Sequence, residues 1–492
     1  MKDSGIILLL LLLGISHLPG ISQEIIMDTE FGIRPVFIKL DNNNDLILTA
    51  MTKDTTNYWQ SMILKITADL DTTYRIIDDT LNELFAPRLL ITQNNRYIVN
   101  TVERLEGGGN WFNRLTFIVF DEDLSILSFK RYNMEHIYPA NNNVYMSFIQ
   151  NEDSRIFGFG IRGDNDDFFV MEITEMGDTL RTKRIHSGPA NPSLFSDVME
   201  SHTDSIAFYA FLAGFDYQGK WKVLTADTAF NYTYKNIELA EGFNYIQSVK
   251  ANWLNDSIYM GVGFLGIGED KFIHEDLVLY KANAWQDHEV IGSPLWISRP
   301  DTTDFTAQNI PTFVDPSHIY VGSYRGSSPG ASYNGRYMVA IVDEDLNLIG
   351  MKSLGRDGFQ YEMHCLQATN DLGCMVSGTV HDNAHAPSYD WDMFIRKIMP
   401  GDIVDVAEHT EDPYDSDYFV YPNPGSDYLN INTARKGVGL KIFNTAGNLV
   451  STHDLAEGFG RQITTGHLEA GIYILHFTDR EGFSENVSWI KK

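Results

Sequence analysis

Asp45-Leu46-Ile47-Leu48 joins a turn residue to a short apolar strand, and this pattern recurs seven times along the 492-residue chain. Successive copies are 50 to 61 residues apart. A period of this size indicates a repeat architecture in which each unit is one small supersecondary structure. The equivalent positions are Leu46, Tyr97, Ile156, Ile206, Ile258, Ile319 and Cys374.

A second apolar strand follows each copy after a loop, and most of these strands run into an acidic turn. Phe117-Ile118-Val119-Phe120 leads into Asp121-Glu122-Asp123-Leu124 in this way. Each unit therefore contains two hairpins over roughly 50 residues, which is the size of one β-propeller blade. Long helical patterns are absent from the sequence, which excludes a doubly wound α/β fold. We predict an all-β protein with a seven-bladed β-propeller over residues 23–406.

The last 72 residues, 421–492, follow another pattern. Leu440 and Ile442 share one side of a predicted strand, and alternation with a period of two recurs over about six short runs. This pattern predicts a small C-terminal β-sandwich. Residues 444–448 are predicted to form a hairpin turn in which Gly447 takes a positive φ. The opening Tyr421-Pro422-Asn423-Pro424 is predicted to begin a strand, because proline holds its predecessor extended.

These C-terminal residues resemble the type A sorting domain of cargo exported by the type IX (Por) secretion system. The resemblance implies that the type IX machinery recognises residues 421–492 at the outer membrane, removes them, and releases the cargo or attaches it to the cell surface. Residues 370–397 also resemble the repeat of large secreted bacterial β-propellers. The sorting motif comprises Tyr421, Pro422, Asn423, Pro424, Gly447, Gly471, Tyr473, Lys491 and Lys492.

The N-terminal sequence predicts export. Residues 1–22 are predicted to be a signal peptide. Lys2 precedes an apolar run over 5–15, and Gly20 and Ser22 stand just before an expected cleavage site at Gln23. The run is too short to span a bilayer, and we expect no transmembrane segment. Residues 407–420 are predicted to be an acidic, mobile linker. The expected product is secreted or attached to the outer cell surface.

Charge and cysteine content limit the partners and the stabilising bonds. The net charge is −29, and its excess lies in residues 1–420, which argues against nucleic acid as a partner. Such acidity is compatible with a divalent cation, although no cofactor is certain. Residues 41–45 resemble half of a calcium loop, but Leu46 stands where the EF-hand pattern needs glycine. Cys365 and Cys374 are either two buried thiols or one local disulfide.

Strand alternation places the loops between the second and third strands of every unit on one face of the predicted propeller. These loops combine aromatic rings with glycines, amides and carboxylates, which suits stacking on a sugar or holding a peptide. Folding of these rings over blade edges is the alternative. The proposed ligand-binding residues are Trp59, Trp111, Tyr217, Tyr324 and Trp391, and the weak candidates for a metal site are His381, His385 and Asp390.

Three matches to catalytic motifs fail on their context. Residues 326–330 satisfy G-x-S-x-G, but Pro329 lacks the N–H that the oxyanion hole needs. Residues 261–266 and 214–220 satisfy phosphate-loop patterns without a following helix, so we interpret their glycines as loop residues. A secreted, non-catalytic glycan- or protein-binding propeller is therefore the favoured function. An extracellular polysaccharide hydrolase or lyase is the alternative, and it would need carboxylates that converge at the channel mouth.

Overall fold

A computed structural model describes residues 24–27, 32–53, 59–67, 72–77, 82–105, 114–133, 144–162, 167–186, 193–202, 206–214, 221–237, 245–266, 275–297, 304–306, 311–325, 336–356, 358–382, 391–403, 418–421, 428–433, 437–445, 447–455, 461–479 and 484–491. The chain divides into two compact units, Met1–Val406 and Ala407–Lys492. We describe each unit by itself.

The described residues of the first unit form seven four-stranded antiparallel sheets, numbered here in chain order. Strand β1 (Glu24–Met27) comes first. Sheet 1 contains β2 (Ile33–Leu40), β3 (Leu46–Lys53), β4 (Trp59–Ile66) and β5 (Thr72–Ile77). Sheet 2 contains β6 (Asn82–Ile91), β7 (Tyr97–Leu105), β8 (Arg114–Phe120) and β9 (Ile126–Asn133). Sheet 3 contains β10 (Val144–Gln150), β11 (Ile156–Arg162), β12 (Asp167–Ile173) and β13 (Thr179–His186).

The remaining sheets of this unit repeat the same order. Sheet 4 contains β14 (Ser193–Glu200), β15 (Ile206–Gly214), β16 (Trp221–Asp227) and β17 (Tyr232–Ile237). Sheet 5 contains β18 (Tyr245–Trp253), β19 (Ile258–Gly266), β20 (Glu275–Asn283) and β21 (Glu289–Trp296). Sheet 6 contains β22 (Asp304–Thr306), β23 (Ile319–Arg325), β24 (Tyr337–Val342) and β25 (Leu348–Leu354). Sheet 7 contains β26 (Phe359–Ala368), β27 (Cys374–Asp382), β28 (Asp392–Ile398) and β1, and a short helix α1 (Pro400–Ile403) follows.

Each of the seven residues that the repeat aligns begins the second strand of a sheet. The all-β prediction is therefore confirmed, and the described residues contain many four-stranded sheets. The glycines at 261, 263 and 266 correct one interpretation, since they lie within strand β19 and not in a loop. A Cβ at Gly261 would lie 2.2 Å from Cζ of Tyr280, so this glycine makes room for a buried ring.

Five-residue turns with a left-handed fourth residue join many of these strands. Asp121 Oδ1 accepts hydrogen bonds from the N–H groups of Asp123 and Ser125, at 3.1 and 2.7 Å. Leu124 has a φ of 59° and is 2 % exposed, so apolar burial holds a bulky residue in a conformation that L-residues seldom adopt. The acidic turn thus anchors an apolar side chain.

Residues 41–45 form the same kind of turn between β2 and β3. Asp41 Oδ1 accepts hydrogen bonds from the N–H groups of Asn43 and Asp45, at 2.9 and 2.8 Å. Asp41 Oδ2 accepts a hydrogen bond from the Tyr97 hydroxyl at 2.6 Å. Both carboxylate oxygens are engaged by the protein, which explains this acidic sequence as a hairpin turn.

The apolar core of the first unit lies between consecutive sheets. Separate clusters of buried side chains join sheets 1 and 2, 2 and 3, 3 and 4, and 4 and 5, and one cluster spans sheets 5, 6 and 7. A further cluster joins sheet 7 to sheet 1. The first strands β26 and β2 also lie against each other. Sheet 7 therefore packs against sheet 1, as each earlier sheet packs against the next one.

Strand β1 completes sheet 7 from the other end of the unit. Glu24 lies opposite Arg396 and Met27 lies opposite Met393 in the antiparallel pair of β1 with β28. Met27 is 3 % exposed and packs in the cluster shared by sheets 7 and 1. The N-terminal strand thus closes the last sheet and contributes to its core.

The two cysteines are free and buried. Cys365 lies opposite Ser377 in the pair of β26 with β27, whereas Cys374 lies opposite Ala368, three positions along the ladder. Cys365 packs in the cluster of sheets 7 and 1, and Cys374 packs in the cluster of sheets 5, 6 and 7. The alternative of two buried thiols is therefore the correct one.

The described residues of the second unit form two sheets. Sheet 8 contains β29 (Tyr418–Tyr421), β30 (Tyr428–Thr433) and β33 (Arg461–Thr464). Sheet 9 contains β32 (Leu449–Leu455), β31 (Val438–Asn444), β34 (Gly471–Thr478) and β35 (Ser484–Lys491). Both sheets contribute to one apolar cluster, in which Trp489 is fully buried. In the described part of the chain, no helix is long and apolar enough to cross a membrane.

A buried histidine makes the stability of the first unit sensitive to acid. His288 is 5 % exposed, and its Nδ1 lies 3.2 Å from the Tyr259 hydroxyl. Burial lowers the pKa of His288 to about 4. An unfolded histidine titrates near 6.5, so the unfolded chain binds this proton first, and stability is lost as the pH falls from about 6.5 to 4.

We expect this histidine to remove on the order of 3 kcal/mol of stability between pH 7 and pH 4. His288→Asn should weaken that pH dependence, because asparagine has no proton to gain and tolerates the φ of 58° at this position. Denaturant unfolding of both proteins at the two pH values measures the difference. An identical pH dependence in the variant would show that His288 does not cause the acid sensitivity.

Candidate ligand site where sheets 1, 6 and 7 meet

Strand β26 directs alternate side chains to opposite sides. Tyr361 and Met363 are 1 % and 0 % exposed and pack in the apolar core. Glu362 and His364 are only partly buried. The register with β27 shifts between Met363 and Cys365, which makes His364 the residue of a β-bulge. A bulge re-aims the side chain that it carries, so this strand presents a carboxyl and an imidazole on the side away from its core.

His364 is the centre of a polar cluster. Its Nε2 lies 3.2 Å from Oγ1 of Thr379 and 3.7 Å from Oε2 of Glu362. The ring of Tyr324, from sheet 6, meets the imidazole edge-on with ring centroids 6.1 Å apart. Burial and, to a smaller extent, the positive charge of Arg34 lower the pKa of His364 to about 3. The imidazole is therefore neutral at physiological pH.

Residues of three sheets influence the pKa values of this cluster. Burial raises the pKa of Glu362, and the guanidinium of Arg34 in β2 partly opposes that rise. Burial also raises the pKa of Tyr324 to about 12, with a smaller contribution from the charge of Glu362. The Tyr324 hydroxyl is therefore protonated and can donate a hydrogen bond. We call Arg34, Tyr324, Glu362, His364 and Thr379 the mouth cluster.

Three of the five residues predicted to bind a ligand are described. Tyr324 belongs to the mouth cluster. Trp59 begins β4, where Lys53 Nζ lies 4.8 Å from the centroid of its ring. Trp391 precedes β28, and its carbonyl oxygen accepts a hydrogen bond from the N–H of Ile33 at 3.0 Å. Trp391 is thus beside Ile33, the residue that precedes Arg34. Trp111 and Tyr217 lie outside the described residues.

The metal site at His381, His385 and Asp390 stays a prediction. His381 lies in β27, and its ring centroid is 5.2 Å from that of Trp391. His385 and Asp390 lie outside the described residues. Within the described ranges, no group of three or more histidine, cysteine, aspartate or glutamate side chains could hold a metal ion.

The mouth cluster combines a cation, hydroxyl groups, a neutral imidazole and a single carboxyl. Such a set suits recognition of a polar ligand by hydrogen bonds and charge. Sequence reasoning missed Arg34, Glu362, His364 and Thr379. The alternation of Gln360, Glu362 and His364 with apolar residues in β26 could have indicated a polar side of this strand, but the bulge at His364 leaves no comparable sequence signal.

The second unit shows where the sorting motif lies. Tyr473 is 7 % exposed and donates a hydrogen bond to the carbonyl of Glu469 at 2.8 Å. Gly447 has a φ of 78° in the turn between β31 and β32, and Gly471 begins β34. Residues 419–492 match the secretion system C-terminal sorting domain. This sorting domain implies a secreted protein that the type IX secretion machinery handles.

The sorting domain differs from the sequence-based expectation at its start. Strand β29 begins at Tyr418 and ends at Tyr421, so Tyr421 ends a strand instead of beginning one. Pro422 has no backbone N–H to donate to a ladder, which accounts for the end of the strand. Lys491 ends β35 and is 8 % exposed. Pro422, Asn423, Pro424 and Lys492 lie outside the described residues.

Solved structures resemble a larger part of the chain, but only at low sequence identity and low TM-score. No curated protein matches the sequence. The β-propeller domain of the trilobed protease from Pyrococcus furiosus is 14% identical over 79% of this chain and 98% of that chain, with a TM-score of 0.42. Drosophila semaphorin 1a, extracellular domains 1–2, is 9% identical over 75% of this chain and 86% of that chain, with a TM-score of 0.44. The NanB sialidase of Streptococcus pneumoniae is 9% identical over 76% of this chain and 70% of that chain, with a TM-score of 0.40.

Proposed function

We propose that this chain is a secreted seven-bladed β-propeller that binds an extracellular glycan or protein through its mouth cluster. The type IX machinery exports it through a C-terminal β-sandwich, which is the sorting domain, and the N-terminal signal peptide delivers it to that machinery. Each four-stranded sheet of the first unit is one blade, and β1 closes the seventh. Residues 407–417 link the propeller to the sorting domain, because residues 418–420 of the predicted 407–420 linker belong to strand β29. The exported protein is released or stays on the cell surface.

The observation that carries this proposal is the mouth cluster itself. It draws Arg34 from sheet 1, Tyr324 from sheet 6, and Glu362, His364 and Thr379 from sheet 7. Arg34 and Tyr324 stand near the ends of their strands, at the side where second strands pass to third strands. Side chains of three repeats thus converge beside loops, and rigid scaffolds commonly present their binding residues in this way.

The packing of the sheets supports the seven-bladed arrangement. Apolar clusters lie between each pair of consecutive sheets, and the cluster of sheets 7 and 1 completes the succession. The shared cluster of sheets 8 and 9 supports a sandwich in the same manner.

A polysaccharide hydrolase or lyase is the second candidate. The raised pKa of Glu362 favours it, because a general acid must hold its proton near the working pH. Glycoside hydrolysis ordinarily needs a second carboxyl group within reach of the scissile bond. The described members of the mouth cluster include one carboxyl, so binding remains the better-supported function.

Binding to a panel of polysaccharides tests the proposal, with reducing ends measured in the same samples. We expect Trp391→Ala to weaken binding roughly tenfold, since a stacking ring contributes on the order of 1 kcal/mol or more. Trp285→Ala is the matched control, because Trp285 is 59 % exposed in the turn between β20 and β21, away from the mouth cluster.

The outcomes separate the candidates. Equal affinity of wild type and Trp391→Ala, or equal losses in Trp391→Ala and Trp285→Ala, would reject the proposed ligand site. A large fall in the unfolding midpoint of Trp391→Ala with unchanged binding would assign the ring to packing. New reducing ends would establish the hydrolase or lyase instead.

A further inference from the structure

We propose that the mouth cluster takes an acidic polysaccharide and that Arg34 holds its anionic group. This inference rests on the proposed function and specifies its ligand. The anionic group is a carboxylate or a sulfate, since both present paired oxygens to a guanidinium.

Arg34 is the first observation behind this assignment. Its side chain is exposed, and within the described residues it forms no hydrogen bond or ion pair. Other arginines of the first unit behave differently. Arg131 Nε lies 2.5 Å from Glu103, and both Arg155 and Arg181 bind Glu172. In a chain of net charge −29, an exposed guanidinium at the proposed ligand face is therefore available to bind an external anion.

The surroundings of Arg34 are the second observation. Glu362 is near enough for the guanidinium to act on its pKa, yet the two side chains form no ion pair. The neutral imidazole of His364 and the hydroxyl of Thr379 add hydrogen-bonding groups without adding negative charge. A bound carboxylate or sulfate would thus find one full positive charge and several neutral polar groups.

Aromatic side chains distinguish a polysaccharide from an acidic peptide. The Tyr324 ring stands against His364, and Trp391 lies beside Ile33, the neighbour of Arg34. One acidic sugar offers an apolar C–H face for a ring, hydroxyls for Thr379, and an anionic group for Arg34. A glutamate residue of a peptide offers the anionic group without the flat C–H face.

The test measures binding of the chain without its predicted signal peptide, residues 23–492, to four probes by titration calorimetry. Polygalacturonate carries carboxylates, dextran sulfate carries sulfates, dextran is neutral, and polyglutamate is an acidic peptide. We expect binding to one or both acidic polysaccharides, and a loss of at least roughly tenfold in Arg34→Ala. Arg184→Ala is the control, since Arg184 is an exposed arginine on β13, the outermost strand of sheet 3.

A pH series on dextran sulfate gives a second readout. Among the described residues, the titratable and charged groups around Glu362 are Arg34 on β2, Tyr324 on β23 and His364 on β26. Burial raises the pKa of Glu362, so this carboxyl gains a proton as the pH falls, while the Tyr324 hydroxyl stays protonated. Because protonation removes its repulsion, affinity should rise as the pH falls toward the Glu362 pKa. Glu362→Gln should bind tightly at neutral pH and should lose this rise.

Several results would overturn the inference. These are an unchanged affinity in Arg34→Ala, or equal losses of affinity in Arg34→Ala and Arg184→Ala. Binding to neither acidic polysaccharide, or tighter binding to polyglutamate than to both of them, would also overturn it. Binding to dextran that depends on Trp391 would reject the acidic ligand while leaving the proposed function intact. Failure of the wild-type chain to bind any polysaccharide of the panel would reject both this inference and the glycan-binding form of the proposed function.

Discussion

Gly378→Ala is expected to lower the free energy of unfolding of the first unit by about 3 kcal/mol. Gly378 lies in the middle of β27, opposite Met363 and next to the bulge at His364. A Cβ at this position would lie 2.0 Å from the backbone carbonyl oxygen of Glu362. A flexible side chain could move away, but this neighbour is backbone, so β26 itself must shift.

The same shift should disturb ligand binding, because it moves Glu362 and His364 together. Gly401→Ala is the matched control, since a Cβ there would meet no atom within 4 Å. Denaturant unfolding of the two variants compares their stabilities. A Gly378→Ala protein as stable as Gly401→Ala would mean that β26 does not need the close approach of this glycine.

Much of the fold could be predicted because it rests on short-range patterns. The seven aligned residues from Leu46 to Cys374 begin the second strands of seven sheets, since a turn followed by an apolar run fixes where such a strand starts. Alternation with a period of two likewise marked the buried positions Leu440 and Ile442 in the sorting domain. Both signals lie within a few residues of sequence.

The candidate site could not be predicted in the same way. It depends on Arg34 and Glu362, which are more than three hundred residues apart in sequence. Their strands, β2 and β26, lie against each other only because sheet 7 packs on sheet 1. It also depends on the bulge at His364, which one extra residue in a strand creates without a distinctive sequence. The aromatic prediction named Tyr324 and Trp391 because strand alternation alone places their loops on one side of the predicted propeller. That these rings bind a ligand stays a prediction.

Deletion of residues 419–492 is expected to abolish appearance of the protein in the medium. The described apolar clusters of the first unit draw on residues only as far as Ile403, so the truncated protein should still fold. The sorting domain has its own cluster around Trp489, which is fully buried. Trp489→Ala should cost roughly 3–5 kcal/mol of sorting-domain stability and should reduce export as well.

The fraction of protein in the medium of the native host tests the central claim most directly. Full-length protein, the 419–492 deletion, Trp489→Ala and the control Trp285→Ala are compared, with periplasmic protein assayed for folding by protease resistance. We expect full-length protein and Trp285→Ala in the medium, and the truncated protein folded in the periplasm. Truncated protein in the medium at the full-length level would contradict the assignment of the sorting domain and the export route built on it.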